Sequence, residues 1–220
     1  MERYRNPDSD GRFYGLNDMV KADCHDCAGC FQCCQGMGNS IVLDPYDIYQ
    51  LQGQGGMLLE ELLAKGAVAL SVYDGMILPH LKMREDNARC PFLSETGRCS
   101  IHGFRPGICR LFPLGRDFQG ENLEYILLEK ACTNRNRSKV KVDKWIGVEP
   151  AKRYHAFVKD WHDFRRQMGR IILDADAEQG QELAMRIVHS FYLTVYDKEQ
   201  EFYPQYDAIA SRYRQIFEGM

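Results

Sequence analysis

Two hydrophobic patterns divide the chain. From Trp145 onward the apolar residues recur every three or four positions. Tyr154, Phe157, Trp161, Phe164, Met168 and Ile171 form one stripe, and Leu183, Ile187, Phe191 and Val195 a second. Tyr206, Ile209, Tyr213 and Ile216 form a third, on a helix opening near Pro204. That spacing is the signature of α-helices with one buried side. Residues 146–220 are therefore predicted as three helices, either a small bundle or a cover over the rest. Before Trp145 the apolar runs are short and broken by turn formers. Val68 to Tyr73 and Met76 to Leu78 flank Asp74-Gly75, which favours a two-residue hairpin turn. Arg116 to Leu128 reads as a second hairpin, turning within 118–122. Asp44-Pro45 reads as an N-cap and first helical residue, with Ile48 and Leu51 on the buried side. A further helix is predicted over 57–65, with Leu58, Leu59, Leu62 and Leu63 as its stripe and Gly66 at its end. Residues 1–22 are polar, and Asn6 to Gly11 reads as loop, as does most of Leu81 to Phe112.

The predicted fold class is α+β. A loop-rich, metal-stapled cysteine-cluster domain with short hairpins (23–145) follows an N-terminal extension (1–22). A helical C-terminal region (146–220) packs on it. The composition, 45% apolar and 27% charged, is that of an ordinary globular protein. A net charge of −3 gives no global attraction to nucleic acid or anionic membrane. No apolar run approaches the length of a membrane helix, and the N-terminus has no signal-like apolar core, so the cytosol is the expected compartment. Arg135, Arg137, Lys139, Lys141 and Lys144 would give a strand one cationic face; the reading adopted is a solvated linker, with no nucleic-acid role. Gly53-Gln54-Gly55-Gly56 lacks the spacing of a nucleotide loop, and no G-x-S-x-G motif occurs.

The cysteines change this picture. Five of the nine fall within Cys24 to Cys34, at Cys24, Cys27, Cys30, Cys33 and Cys34. Repeated C-x-x-C spacing aims sulfurs at a common point, where a soft metal or an iron–sulfur cluster can be held. Thiolate–metal bonds persist in a reducing compartment where disulfides are uncommon, and an odd count leaves one thiol over in any disulfide framework. Cys90, Cys99, Cys109 and Cys132 follow. Without Cys24 the cysteines divide four and four, enough for two four-thiolate centres. Cys24 is then the spare thiol, expected to be exposed and reactive. Thiolate suits zinc and iron alike. The contiguous early run and Cys90-Pro91 favour an iron–sulfur centre over zinc, with one of each left open. His25 and His102 are weighed as ligands, and the reading adopted is that they are not. Arg105 and Arg110 either neutralise the centre or cap local loops. Pro106 is predicted to start a short helical turn that aims Cys109 at the site.

The pattern resembles the YkgJ-type cysteine-cluster family, a zinc- or iron-chelating domain. Cys27, Cys30, Cys33 and Cys34 match its first signature. Cys90-Pro91-Phe92-Leu93, Gly97-Arg98-Cys99, the run from Arg105 to Pro113 and Cys132 match its second. The resemblance covers about 24–135 and implies that these eight cysteines hold metal. Cys24 and the Phe31-Gln32 pair depart from the family pattern. Three functions remain in play. The first is a metal-binding protein in electron transfer, metal handling or redox sensing. The second is a zinc-stabilised module for a protein partner. The third is a lysine N-methylase using S-adenosylmethionine, since flagellin lysine N-methylases carry a similar cysteine domain. The chain shows no radical-type C-x3-C-x2-C triplet and is short for an added methyltransferase domain.

Overall fold

The computed structural model describes residues 6–25, 30–119 and 122–217. The fold is α+β, with three two-stranded antiparallel ribbons among residues 19–141 and the long helices at the C-terminal end. Strand β1 (Met19–Asp23) pairs with β6 (Ser138–Lys141), β2 (Val68–Tyr73) with β3 (Met76–Leu81), and β4 (Leu114–Asp117) with β5 (Glu124–Leu127).

Helix α1 (Pro45–Gly53) begins as its sequence demands. Asp44 accepts from the Asp47 amide, and Asp47 in turn accepts from the Asp44 amide, each at 3.0 Å. This reciprocal capping box satisfies two amides that the helix itself leaves unpaired. Helix α2 (Leu59–Ala64) starts two residues later than predicted, and Gly66 follows it in the left-handed conformation (φ 65°). Between β2 and β3, Asp74 and Gly75 both take positive φ, as their two-residue turn requires. The turn docks on a long helix, α5 (Ala151–Asp174). It docks at Gly169, where an added Cβ would collide with the Asp74 carbonyl oxygen.

Short helices α3 (Gly107–Leu111) and α4 (Val142–Ile146) precede α5; α6 (Ala177–Val188) and α7 (Phe202–Phe217) follow it. Helices α5 and α6 pack on β3 and on each other, while α1 contacts α7. A single buried apolar cluster runs through both parts of the chain, from Val20 and Leu43 to Trp161, Phe191 and Tyr206.

The strand β1, on which alternate residues Val20 and Ala22 are buried, begins within the N-terminal extension, where no element was predicted. Two expectations are corrected. The basic stretch expected as a solvated linker supplies β6, and Arg137 beside it is buried. The second helical stripe fails at Val195, which is 65% exposed. A π-helical turn over His189–Leu193 brings both Phe191 and Tyr192 inside and ends the helix, with Thr194 already extended, so Val195 lies beyond the helical period. Ile216, in the third stripe, is also largely exposed. The predicted turn within 118–122 includes 120 and 121, which lie outside the described residues.

Candidate metal centre

Loops assemble the cysteines, and backbone hydrogen bonds fix the loops. A 3-10 turn over Gln32–Cys34 is closed by the Cys34 amide donating to Phe31 O at 2.9 Å. The Cys90 amide then donates to Cys34 O at 2.8 Å, and the Gly36 amide to Ala88 O at 2.8 Å. The early and late cysteine stretches are thereby laced together. Cys90 and Cys99 flank a tight loop. Ser94 N–H donates to Arg98 O, Gly97 takes φ 77°, and Leu93 bridges Cys99. Arg84 Nη2 holds the outer side of this loop through Pro91 O (3.0 Å) and Leu93 O (3.2 Å).

Cys109 is carried by α3, with Pro106 as its N-terminal cap residue, in line with the helical turn expected there. The position of α3 depends on a residue that sequence reasoning left as a helix-start feature. Asp47 Oδ1 accepts from the Gly107 amide at 2.7 Å across 60 residues of chain. Gly107 cannot carry a side chain, since a Cβ would collide with the Tyr154 hydroxyl. Arg116 completes this buried polar group, with Nη2 3.0 Å from the Tyr154 hydroxyl and Nη1 3.9 Å from Asp44 Oδ2. The Asp-x-x-Asp capping box was the available sequence signal for Asp47.

These elements enclose a cavity of about 100 Å3 whose lining includes Cys30, Cys33, Cys34, Cys90, Cys99 and Cys109. Met37, Ile41 and Leu81 add apolar wall. Trp145 also lines it, and its Nε1–H donates to Leu111 O at 2.9 Å at the end of α3. Four thiols lie close enough to act on one another electrostatically. Burial pushes the Cys90 thiol up to about 11, with the nearby Cys34 and Cys99 thiols adding to the rise. Burial pushes Cys109 well above the usual thiol range, aided by Cys90, by Asp47, and by Cys34 and Cys99. Cys99 is raised by burial as well. Cys34 moves the other way, to about 7, because it receives a hydrogen bond from Cys33 and lies near the Arg105 guanidinium.

Cys132 is buried, 7% exposed, and does not line the cavity. Cys27 lies outside the described residues. Cys24, expected to be an exposed spare thiol, is 5% exposed, because it continues the inward-facing alternation of β1. His102 lines the cavity, whereas His25 is exposed and does not. Arg105 and Arg110 cap the local loop. Arg105 Nη1 donates to His102 O at 2.6 Å, and Arg110 Nη2 to Gly103 O at 2.8 Å. Arg105 also lines the cavity, so it serves the loop and the local field together.

By donor chemistry, a cavity lined by six thiols fits a soft, thiophilic metal. Among the described residues no three His, Cys, Asp or Glu side chains already converge on one ion-sized point. A larger open groove of about 800 Å3 between α5 and α6 contains no cysteine, and there Arg166, Arg170 and Arg186 alternate with Asp163, Asp174 and Glu182. Among the described residues no helix is long and apolar enough to cross a membrane.

A cysteine-lined chelating site, assembled from one clustered and one dispersed set of thiols, is the class that this geometry defines. Residues 26–133, just under half of the 220-residue chain, match the CxxCxxCC family, described as a "putative zinc- or iron-chelating domain". No curated protein and no solved structure gives a significant match to the chain.

Proposed function

We propose that the cavity holds an iron–sulfur centre on Cys34, Cys90, Cys99 and Cys109, and that the protein works in electron transfer, metal handling or redox sensing. The observation that carries this reading is the enclosed space of about 100 Å3 among the thiols. Zinc–sulfur bonds of about 2.3 Å draw four sulfurs to within about 4 Å of one another and leave no void between them. A cluster with its own inorganic sulfide fills a space of this kind. Cys30 and Cys33, half-buried at the lining, keep the centre near the surface, as electron or metal exchange requires.

The four thiols come from the turn at Cys34, the loop from Cys90 to Cys99, and α3, so occupation of the cavity would tie three separate segments together. Arg105 lies near Cys34 and Cys99, where a positive charge favours thiolate over thiol. The test is anaerobic purification with iron, sulfide and zinc analysis of the intact protein beside Cys109→Ser and Cys99→Ser. Iron and sulfide in equal amounts, with a visible sulfide-to-iron absorption lost in both variants, is the expected result. Zinc alone in the intact protein would turn the reading to a zinc-stabilised module that binds a partner.

A further inference from the structure

Three buried groups outside the cavity remain without a role. Cys24, Cys132 and Arg137 are 5%, 7% and 6% exposed, and none of them lines the cavity. The β1–β6 ribbon brings two of them together. Its register runs Met19↔Lys141 and Val20↔Val140 and, past an irregularity, Asp23↔Ser138, so Cys24 and Arg137 are the residues next to its last pair, one on each strand's outer end. The burial pattern agrees: Val20, Ala22 and Cys24 are buried, and Lys21 between them is exposed. Asp23 and Ser138 occupy the other face, where Asp23 Oδ2 accepts from Ser138 Oγ at 2.9 Å. Cys24 and Arg137 are both buried beside that pair. Asn134, two residues after Cys132, donates from Nδ2 to Cys24 O at 3.5 Å, which brings the chain around Cys132 to Cys24.

Arg137 is the anomaly. Its Nε and Nη1 are buried and have no hydrogen-bond partner among the described residues. Two neutral thiols offer those N–H groups only weak acceptors. Metal-bound thiolates offer stronger ones, because each is anionic and accepts hydrogen bonds from N–H groups.

We infer that Cys24 and Cys132 are ligands in a second centre for a thiophilic metal, separate from the cavity, with Arg137 as its counter-charge. Cys24 and Arg137 both lie outside the family match at 26–133, so this centre uses residues that the family domain does not supply. The inference rests on reading the family domain as metal-binding, yet the two readings fail separately.

The experiment measures metal per chain in the anaerobically purified full-length protein and its variants. Cys24→Ser and Cys132→Ser should each remove the same portion of the metal, and the double variant should remove no more. Cys109→Ser should remove a different portion. Arg137→Met should lower resistance to a zinc and iron chelator by about 10-fold, the low end of outer-sphere effects on metal sites, and Arg137→Lys should restore part of it. A measurement on the unmodified protein covers the case of a variant that fails to fold. Alkylation with mass spectrometry should find Cys24 and Cys132 shielded when metal is bound and modified after chelation. Full metal content in Cys24→Ser or in Cys132→Ser overturns the inference. So does continued shielding of both thiols in stripped protein with unchanged circular dichroism, since that is burial alone. Loss of the same portion by Cys24→Ser and Cys109→Ser overturns it too, in favour of one shared centre. If Cys109→Ser keeps its metal while Cys24→Ser loses it, the cavity reading falls and this one stands.

Discussion

The helical part and the cysteine part of this molecule solve the same problem by different means. Around α5 and α7 the interior is filled by aromatic rings in direct contact. Trp161 stacks on Phe164 with centroids 5.4 Å apart, Phe164 meets Phe191 edge-on at 5.1 Å, and Phe157 meets Tyr206 edge-on at 4.9 Å. Most polar tips there find partners, as where Tyr206 donates to Asp160 Oδ2 at 2.7 Å and Arg214 binds the same carboxylate, although the buried Tyr203 hydroxyl has no hydrogen-bond partner among the described residues. Around Cys34, Cys90, Cys99 and Cys109 the elements are a 3-10 turn, a loop and a helix of five residues, and the space between them is a thiol-lined cavity. One region fills its interior with its own side chains. The other keeps a thiol-lined space at its centre. Close packing is the rule in protein interiors, so an enclosed thiol-lined space marks where a ligand belongs.

Metal removal should separate the two regions most. Structural zinc in small peptides contributes about 10–16 kcal/mol of apparent binding energy, which is also folding energy. Stripping should therefore abolish amide-exchange protection in residues 30–40 and 88–112 while α5 and α7 keep theirs. Uniform protection before and after stripping would erase the distinction.

The converse experiment is Trp161→Ala, which opens a hole among rings and should cost about 3–5 kcal/mol in denaturant unfolding. Metal per folded chain should not change, because Trp161 does not touch the cavity lining. Next comes the link between the regions. Asp47→Ala strands the buried amides of Asp44 and Gly107, for about 2–3 kcal/mol of destabilisation. Unlike Trp161→Ala it should also speed metal loss to a chelator, since Gly107 begins the helix that carries Cys109. Equal metal retention in the two variants would show that α3 needs no such anchor. The smallest effect belongs to Tyr206→Phe, which removes one hydrogen bond to a charged partner that Arg214 still holds. About 1 kcal/mol is expected, with metal content unchanged.

The sequence made these regions unequally legible. The stripes through Trp161 and Tyr213 predicted the long helices because burial alone sets their phase. Asp74-Gly75 and Asp44-Pro45 predicted a turn and a cap because each acts within a few residues. Val195 misled because the helix ends at Leu193, in a π-helical turn that no single residue announces. The cysteine spacings showed that thiols matter, and Pro106 showed how Cys109 is aimed. They could not show which thiols meet. Cys34 joins Cys90, Cys99 and Cys109 through cross-chain hydrogen bonds such as Cys90 N–H to Cys34 O. Cys132 stays apart although it belongs to the same spaced set. The burial of Cys24 and Arg137 depends on the pairing of β1 with β6, across more than 100 residues, which local composition disguised as loop and linker.

The central claim is that the cavity holds iron with sulfide on four named thiols. Crystals of anaerobically purified protein, with diffraction recorded on both sides of the iron and zinc absorption edges, test it most directly. The account predicts an iron anomalous peak inside the cavity, within bonding distance of Cys34, Cys90, Cys99 and Cys109. A zinc peak there, or metal bound only outside the cavity, would contradict it.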